Sequence, residues 1–128
     1  PDDIKSSLHK VVIFDMVINN ADRKGSHIIL DLKGQIKLID HGICFHQDPK
    51  YRTVIWDYID ENIPNDLIED IARLRKLIKA GSPEIKGLDE LLSKVEISAL
   101  VKRIDQIIED PFFPKPDKNY RPFPYPLI

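Results

Sequence analysis

The sequence predicts a mainly helical α+β domain with one short β-hairpin. Three observations carry that expectation. Apolar residues recur at helical spacing near the start, over 64–80 and over 97–108. Two short aliphatic runs, His27–Leu32 and Ile36–Ile39, flank a Lys33-Gly34-Gln35 break, as the strands of a hairpin do. A chain of 128 residues, 42% of them hydrophobic, has enough apolar sequence to bury one core.

Composition excludes several function classes. The 19 basic and 21 acidic side chains give a net charge of −2, so a general nucleic-acid-binding surface is not expected. The longest apolar run, Val11–Phe14, is far too short to span a bilayer, and no signal peptide opens the chain. A single cysteine, Cys44, excludes an internal disulfide framework and fits a reducing cytoplasm.

Asp2 to about Val17 reads as a helix. Its first acidic residues suit the positive helix end, and Ile4, Leu8, Val11 and Val12 form one stripe. From Val11 to Ile18 only Asp15 breaks the apolar run, so Asp15 is either paired or functional. Asn19–Ser26 is a loop by composition. In the hairpin, a two-residue turn at Lys33-Gly34 pairs His27 with Asp40. A slip by one residue pairs Ile28 with Asp40 and Asp31 with Lys37. It puts Ile28, Leu30, Leu32, Ile36 and Leu38 on one face, and is the preferred register. In either register the end of the Asn19–Ser26 loop and Asp40 share the hairpin's open end.

Asp40–Tyr58 is loop-rich. Pro64–Ala80 is the clearest helix, with Pro64 in its first turn, a stripe of Leu67, Ile71, Leu74 and Ile78, and Gly81 as the stop. Ser82 and Pro83 can open a short turn, and Leu88, Leu91, Leu92 and Val95 form a brief periodic segment. Ser93-x-x-Glu96 is a capping box for a last helix that buries Ile97, Leu100, Val101, Ile104, Ile107 and Ile108, and Pro111 stops it. The final stretch, 111–128, holds six of the ten prolines together with Phe112, Phe113, Tyr120, Phe123 and Tyr125. With so many amides missing it cannot form regular structure. The expected division is therefore 1–110 as the domain and 111–128 as an extended strap whose aromatics pack on it. A proline-rich ligand for a partner is the alternative.

The chemistry-bearing residues are concentrated between Asp15 and His46. Asp22 is followed five residues later by His27; the hairpin comes next, then Ile39-Asp40-His41-Gly42. Val12–Asp57, with its VINNADRKG, IDHGICFH and RTVIWD blocks, resembles the catalytic region of phosphatidylinositol 3-/4-kinase-like proteins. The nearest likeness is to a small bacterial branch. Asn20–Arg23 (N-x-D-R) is similar to the type II phosphatidylinositol 4-kinases. The resemblance is strong over the first half of the chain and rests on pattern after that.

The resemblance implies a two-lobed kinase fold. This chain would supply the protein-kinase-like C-terminal lobe, with the hairpin carrying the catalytic and metal-binding loops. Such sites need one carboxylate to orient a hydroxyl and take its proton, and another to hold the divalent ion that bridges the phosphates. By the resemblance Asp22 is the base, with Asn20 and Arg23 beside it. Asp40, followed by Gly42, is the residue at the metal and nucleotide. ATP and Mg²⁺ or Mn²⁺ are the implied cofactors, and a hydroxyl compound the implied acceptor. His27 stands where these families commonly place a metal-binding Asn. Imidazole suits transition metals better than Mg²⁺, so His27 is a departure at the second metal position. Gly42 is expected to let the backbone turn away from Asp40 without a Cβ clash.

Blander roles stand beside these. Asn20 either orients Asp22 or forms an Asx-turn. Arg23 is expected to pair with a nearby carboxylate such as Asp15. Arg52, near Trp56 and Asp57, is read as an internal ion pair, His41 and His46 as structural histidines, and Cys44 as a small buried hydrophobe. No G-x-G-x-x-G and no phosphate-gripping strand Lys are seen, so the chain is expected to be a fragment, inactive without an N-terminal lobe. Two other readings are a non-catalytic kinase-like binding module and, more weakly, a metal-dependent phosphohydrolase.

Overall fold

A computed structural model describes residues 2–118 and 121–128, with the backbone alone for Asp2; Tyr120 and the side chain of Asp2 lie outside the described residues. The elements in order are α1 (Asp2–Ile18), β1 (Ile28–Leu30), β2 (Ile36–Leu38), α2 (Asn65–Ala80), α3 (Lys86–Leu91) and α4 (Lys94–Glu109). The architecture is mainly helical with a two-stranded antiparallel sheet.

The core is the meeting of three helix stripes. α1 gives Val11, Val12, Ile13, Val17 and Ile18; α2 gives Leu67 and Ile71; α4 gives Leu100, Ile104 and Ile107. α4 packs on both α1 and α2 and carries the fully enclosed Ile104. The helix ends are set locally. Gly81 takes the left-handed conformation (φ 62°), its N–H donates to the Ile78 carbonyl (3.2 Å), and the Ser82 N–H donates to Leu77 (3.1 Å). This satisfies two of the last carbonyls of α2, and only glycine adopts that φ without penalty. α4 starts on the expected capping box. The Glu96 N–H donates to Ser93 Oγ (3.1 Å) and the Ser93 N–H donates to Glu96 Oε1 (2.8 Å), which holds the Glu96 carboxyl below its ordinary pKa.

The hairpin register differs from the preferred one. Ile28 pairs with Leu38 and Leu30 with Ile36, so Ile28 does not face Asp40 and Asp31 does not face Lys37. The cause is Asp31. Its Oδ1 accepts from the N–H groups of Lys33 (2.9 Å) and Gln35 (2.8 Å), which winds 31–35 into a wider turn with Gly34 at φ 79°. Because the shift is by two residues, Ile28, Leu30, Ile36 and Leu38 still share a face, but Leu32, expected on it, lies in the turn and is fully exposed. The open end still joins the two loops, since the Ile39 N–H donates to the His27 carbonyl (3.1 Å).

Beyond α4, Phe113 is buried against His9 and Tyr58. The other described aromatics of the segment, Phe112, Phe123 and Tyr125, are exposed. The segment is held by backbone hydrogen bonds more than by its rings. Phe113 and Ile63 exchange N–H donors with Glu61 and Pro111 (2.9 and 2.8 Å), and the Thr53 N–H donates to Pro122 (3.1 Å). None of the described helices is long and apolar enough to cross a membrane.

Candidate active site

The site grows from the end of α1. Asp15 lies in the last turns of that helix with no exposed surface, and Arg23 meets it from the following loop, also with none. Arg23 Nε donates to Asp15 Oδ2 (2.7 Å) and Nη2 to Oδ1 (2.9 Å), a two-pronged charge-assisted pair. Asn20 Nδ2 adds a third donor to Asp15 Oδ1 (3.2 Å). Arg23 Nη1 reaches the carbonyls of His27 and Ile39 (3.4 Å each), so one guanidinium ties α1 to both sides of the hairpin's open end. Asp15 is thus paired, and Arg23 is the expected structural partner that positions the loop.

Asn20 forms the Asx-turn of its two alternatives. Its Oδ1 accepts the Asp22 N–H (2.9 Å), an Asx-turn, and that turn fixes where Asp22 leaves the loop. The Asp22 carboxylate is partly exposed, with Lys24 Nζ 3.8 Å away. A short 3-10 turn, Gly25–His27, then carries His27 inward. His27 Nδ1 lies 3.0 Å from the Asp22 carbonyl and 3.4 Å from the Lys24 N–H. A ring nitrogen cannot donate to one and accept from the other. The ring's tautomer sets which of the two Nδ1 bonds. Nε2 lies 3.4 Å from Asp40 Oδ2.

Asp40 follows β2 with its side chain 61% exposed and its backbone in the left-handed region (φ 60°). Asn19 (φ 54°) and Phe45 (φ 65°) share that conformation. For Phe45 it is a costly one, held by its N–H donating to Ile18 (2.6 Å). The turn after Asp40 therefore rests on Asp40 and Phe45, not on Gly42. Gly42 has no positive φ, and a Cβ there would sit 3.5 Å from Asp40 Oδ1, an ordinary contact.

Asn19, Arg103 and Thr53 carry positioning roles that the sequence did not assign. Asn19 Nδ2 donates to the carbonyls of His46 and Asp48 (2.9 and 2.8 Å), and its Oδ1 accepts the Lys50 N–H (3.0 Å). Arg103, from α4, donates Nε to Val17 (3.0 Å) and Nη1 to His46 (3.3 Å). Thr53 is fully buried and bridges Arg23 in parallel. A second Asn after a helix was the available signal for Asn19; the other two lie far away in sequence with none.

Among the described residues Arg52 does not form the expected ion pair. Its carbonyl accepts from Arg23 (3.1 Å) and its N–H donates to Asn20 (3.0 Å), while buried Nε has no partner. His46 is structural: Nδ1 accepts the Asp48 N–H (2.9 Å). His41 sets its ring edge to face against Phe14 (5.6 Å). Cys44 is half-buried against the core, and burial pushes its thiol up to about 11.

His27 Nε2 and Asp40 Oδ2, 3.4 Å apart, are both metal-ligand types, and the two form an ion pair when the imidazole is protonated. A carbonyl-bound Nδ1 is the usual companion of an Nε2 metal ligand. Among the described residues no group of three or more His, Cys, Asp or Glu is gathered for a metal, so His27 and Asp40 would need phosphate or water oxygens as further ligands. The cavity of about 1170 Å³ lies elsewhere, between the end of α1, Tyr51, Arg103 and Phe113.

The family described as phosphatidylinositol 3- and 4-kinase has a model that matches residues 2–99. The chain is also similar to Protein Rv2133c of Mycobacterium tuberculosis, 37% identical over 127 residues. That match covers 99% of this chain and 44% of the relative, so the chain spans less than half the relative's length. No solved structure matches significantly.

Proposed function

The chain belongs to the phosphatidylinositol 3- and 4-kinase family, and on that premise we propose that it carries the catalytic and metal-binding loops of an ATP-dependent phosphotransferase acting on a hydroxyl. The mycobacterial relative supports a place in a small bacterial branch. The observation that carries the proposal is the imidazole of His27, which spans the Asp22 backbone and the Asp40 carboxylate. It places the two loops within one ring's width of each other.

In this reading Asp22 orients the acceptor hydroxyl and takes its proton. Asn20 and Arg23 set its position through the Asx-turn and the buried pair. Asp40 and His27 hold a divalent cation, which when bound neutralises charge on the phosphates. Arg23, named among the catalytic candidates, acts as a positioning residue because it has no exposed surface to offer a substrate. The chain corresponds to the C-terminal lobe, is inactive alone, and is completed by a nucleotide-gripping lobe; the relative's greater length leaves room for one.

Calorimetry with ATP and Mn²⁺ or Mg²⁺ on the chain completed by a nucleotide-gripping lobe tests the reading. Binding of ATP that needs the divalent ion and is lost in Asp40→Asn is the expected result. No binding under either ion favours a non-catalytic kinase-like module. A metal-dependent phosphohydrolase has no gathered set of ligands behind it among the described residues.

A further inference from the structure

The segment Arg121–Ile128 touches the loop that presents His27 at Gly25, and touches Thr53 and Trp56 beside it. The Gly25 N–H opens the 3-10 turn Gly25–His27 and so has no partner within it. It donates to the carbonyl of Leu127 (3.1 Å). At the other end, the Pro122 carbonyl accepts twice, from the Thr53 N–H (3.1 Å) and from Trp56 Nε1 (3.3 Å). Thr53 is in turn bridged to Arg23, through Arg23 N–H to Arg52 (3.1 Å) and Val54 N–H to Arg23 (3.1 Å). The segment thus holds Gly25 directly and Arg23 only through the Thr53 bridge.

The chemistry of the segment suits this one task. Pro122, Pro124 and Pro126 have no amide to give, so along this stretch the backbone mostly accepts, here from the Gly25 and Thr53 amides and the Trp56 indole. Pro124 is buried at the contact, while Phe123, Tyr125, Leu127 and Ile128 stay exposed. Little apolar area of the segment enters the core, so its docking rests on a few hydrogen bonds. Each contributes about 1 kcal/mol net. An attachment that weak separates from the fold without unfolding it.

We propose that Arg121–Ile128 is a positioning strap: docked, it fixes the Gly25–His27 turn and so holds His27 Nε2 against Asp40. The inference rests on the reading of His27 and Asp40 as a cation site only for its consequence, not for the docking itself. Neither Leu127 nor Pro122 touches a reacting group. Their carbonyls act through Gly25 and Thr53, so the strap alters cation affinity by fixing the turn.

The test compares amide exchange by NMR in the 128-residue chain and in a variant ending at Pro124. The Gly25 amide is expected to exchange about tenfold faster in the variant, as loss of one or two hydrogen bonds implies, while Leu100–Ile107 amides in α4 keep their protection. Unchanged Gly25 protection overturns the proposal, and so does collapse of protection through α4, which would make the segment part of the core. Trp56→Phe is the milder variant. It removes one donor to Pro122, and faster exchange at Thr53 is expected; an unaltered rate contradicts the docking.

Titration with Mn²⁺ alone, in both chains, separates the two claims. Weaker Mn²⁺ binding in the variant supports positioning, and equal affinity overturns it. If the 128-residue chain does not bind Mn²⁺, the cation-site reading fails, and the Gly25 exchange rate still decides whether the segment is docked.

Discussion

Arg23→Ala is expected to cost about 3–5 kcal/mol of stability in urea or thermal unfolding, the range for breaking a buried ion pair by removing one partner. Asp15 and Arg23 each have no exposed side-chain surface. The truncation leaves the Asp15 carboxylate enclosed in the apolar end of α1, with Asn20 Nδ2 as its remaining side-chain donor. It also frees the carbonyls of His27 and Ile39 from Nη1. A buried carboxylate without its counter-charge is far more costly than the pair is stabilising. The double variant Asp15→Ala/Arg23→Ala should therefore lose clearly less than the sum of the two single changes. Additive losses would show that the two side chains act separately and that the pair is not what fastens the loop to α1.

Asp22→Asn is expected to lower phosphoryl transfer by about 10²- to 10⁴-fold, the usual contribution of a general base. The assay is transfer from ATP by the chain completed with a nucleotide-gripping lobe. The same change should leave stability within about 0.5 kcal/mol, the range for a substitution outside the packed interior. That combination follows from how Asp22 is held. Its N–H rests on Asn20 and its carbonyl on His27, and both contacts survive the substitution. Its side chain faces Lys24 Nζ at 3.8 Å. Full activity in Asp22→Asn removes Asp22 from the base role. Loss of activity with loss of fold would make it a structural loop carboxylate.

Much of the fold is legible because its determinants are local. The Ser93–Glu96 box, Gly81 after α2 and the stripes of α1, α2 and α4 depend on neighbours within a few residues, and each takes the form that its spacing implies. The hairpin's apolar face is legible for the same reason. Its register is not, because a single side chain, Asp31, competes with strand pairing by hydrogen-bonding two amides of the turn. Hydrophobic pattern alone cannot tell registers two residues apart, since both group the same strand residues on one face.

At the site, sequence spacing brings His27 and Asp40 to one place, and the buried apolar run singles out Asp15 as needing a partner. What spacing cannot supply is the long-range support. Arg103 reaches Val17 and His46 from α4, and Pro122 reaches Thr53 and Trp56. Nothing local distinguishes those residues from other surface arginines and prolines. Gly42 is the instructive miss. A glycine after a motif aspartate invites a backbone explanation, but the left-handed conformation falls on Asp40 itself. Aspartate tolerates that region better than most residues.

Mn²⁺ added in small amounts to the isotopically labelled chain bleaches NMR signals by proximity. Signals of His27 and Asp40 should be the first to vanish, with Asp22 close behind, and Asp40→Asn should restore them. Bleaching centred instead on other acidic side chains, or none at all as Mn²⁺ rises, would contradict a cation site shared by the two loops.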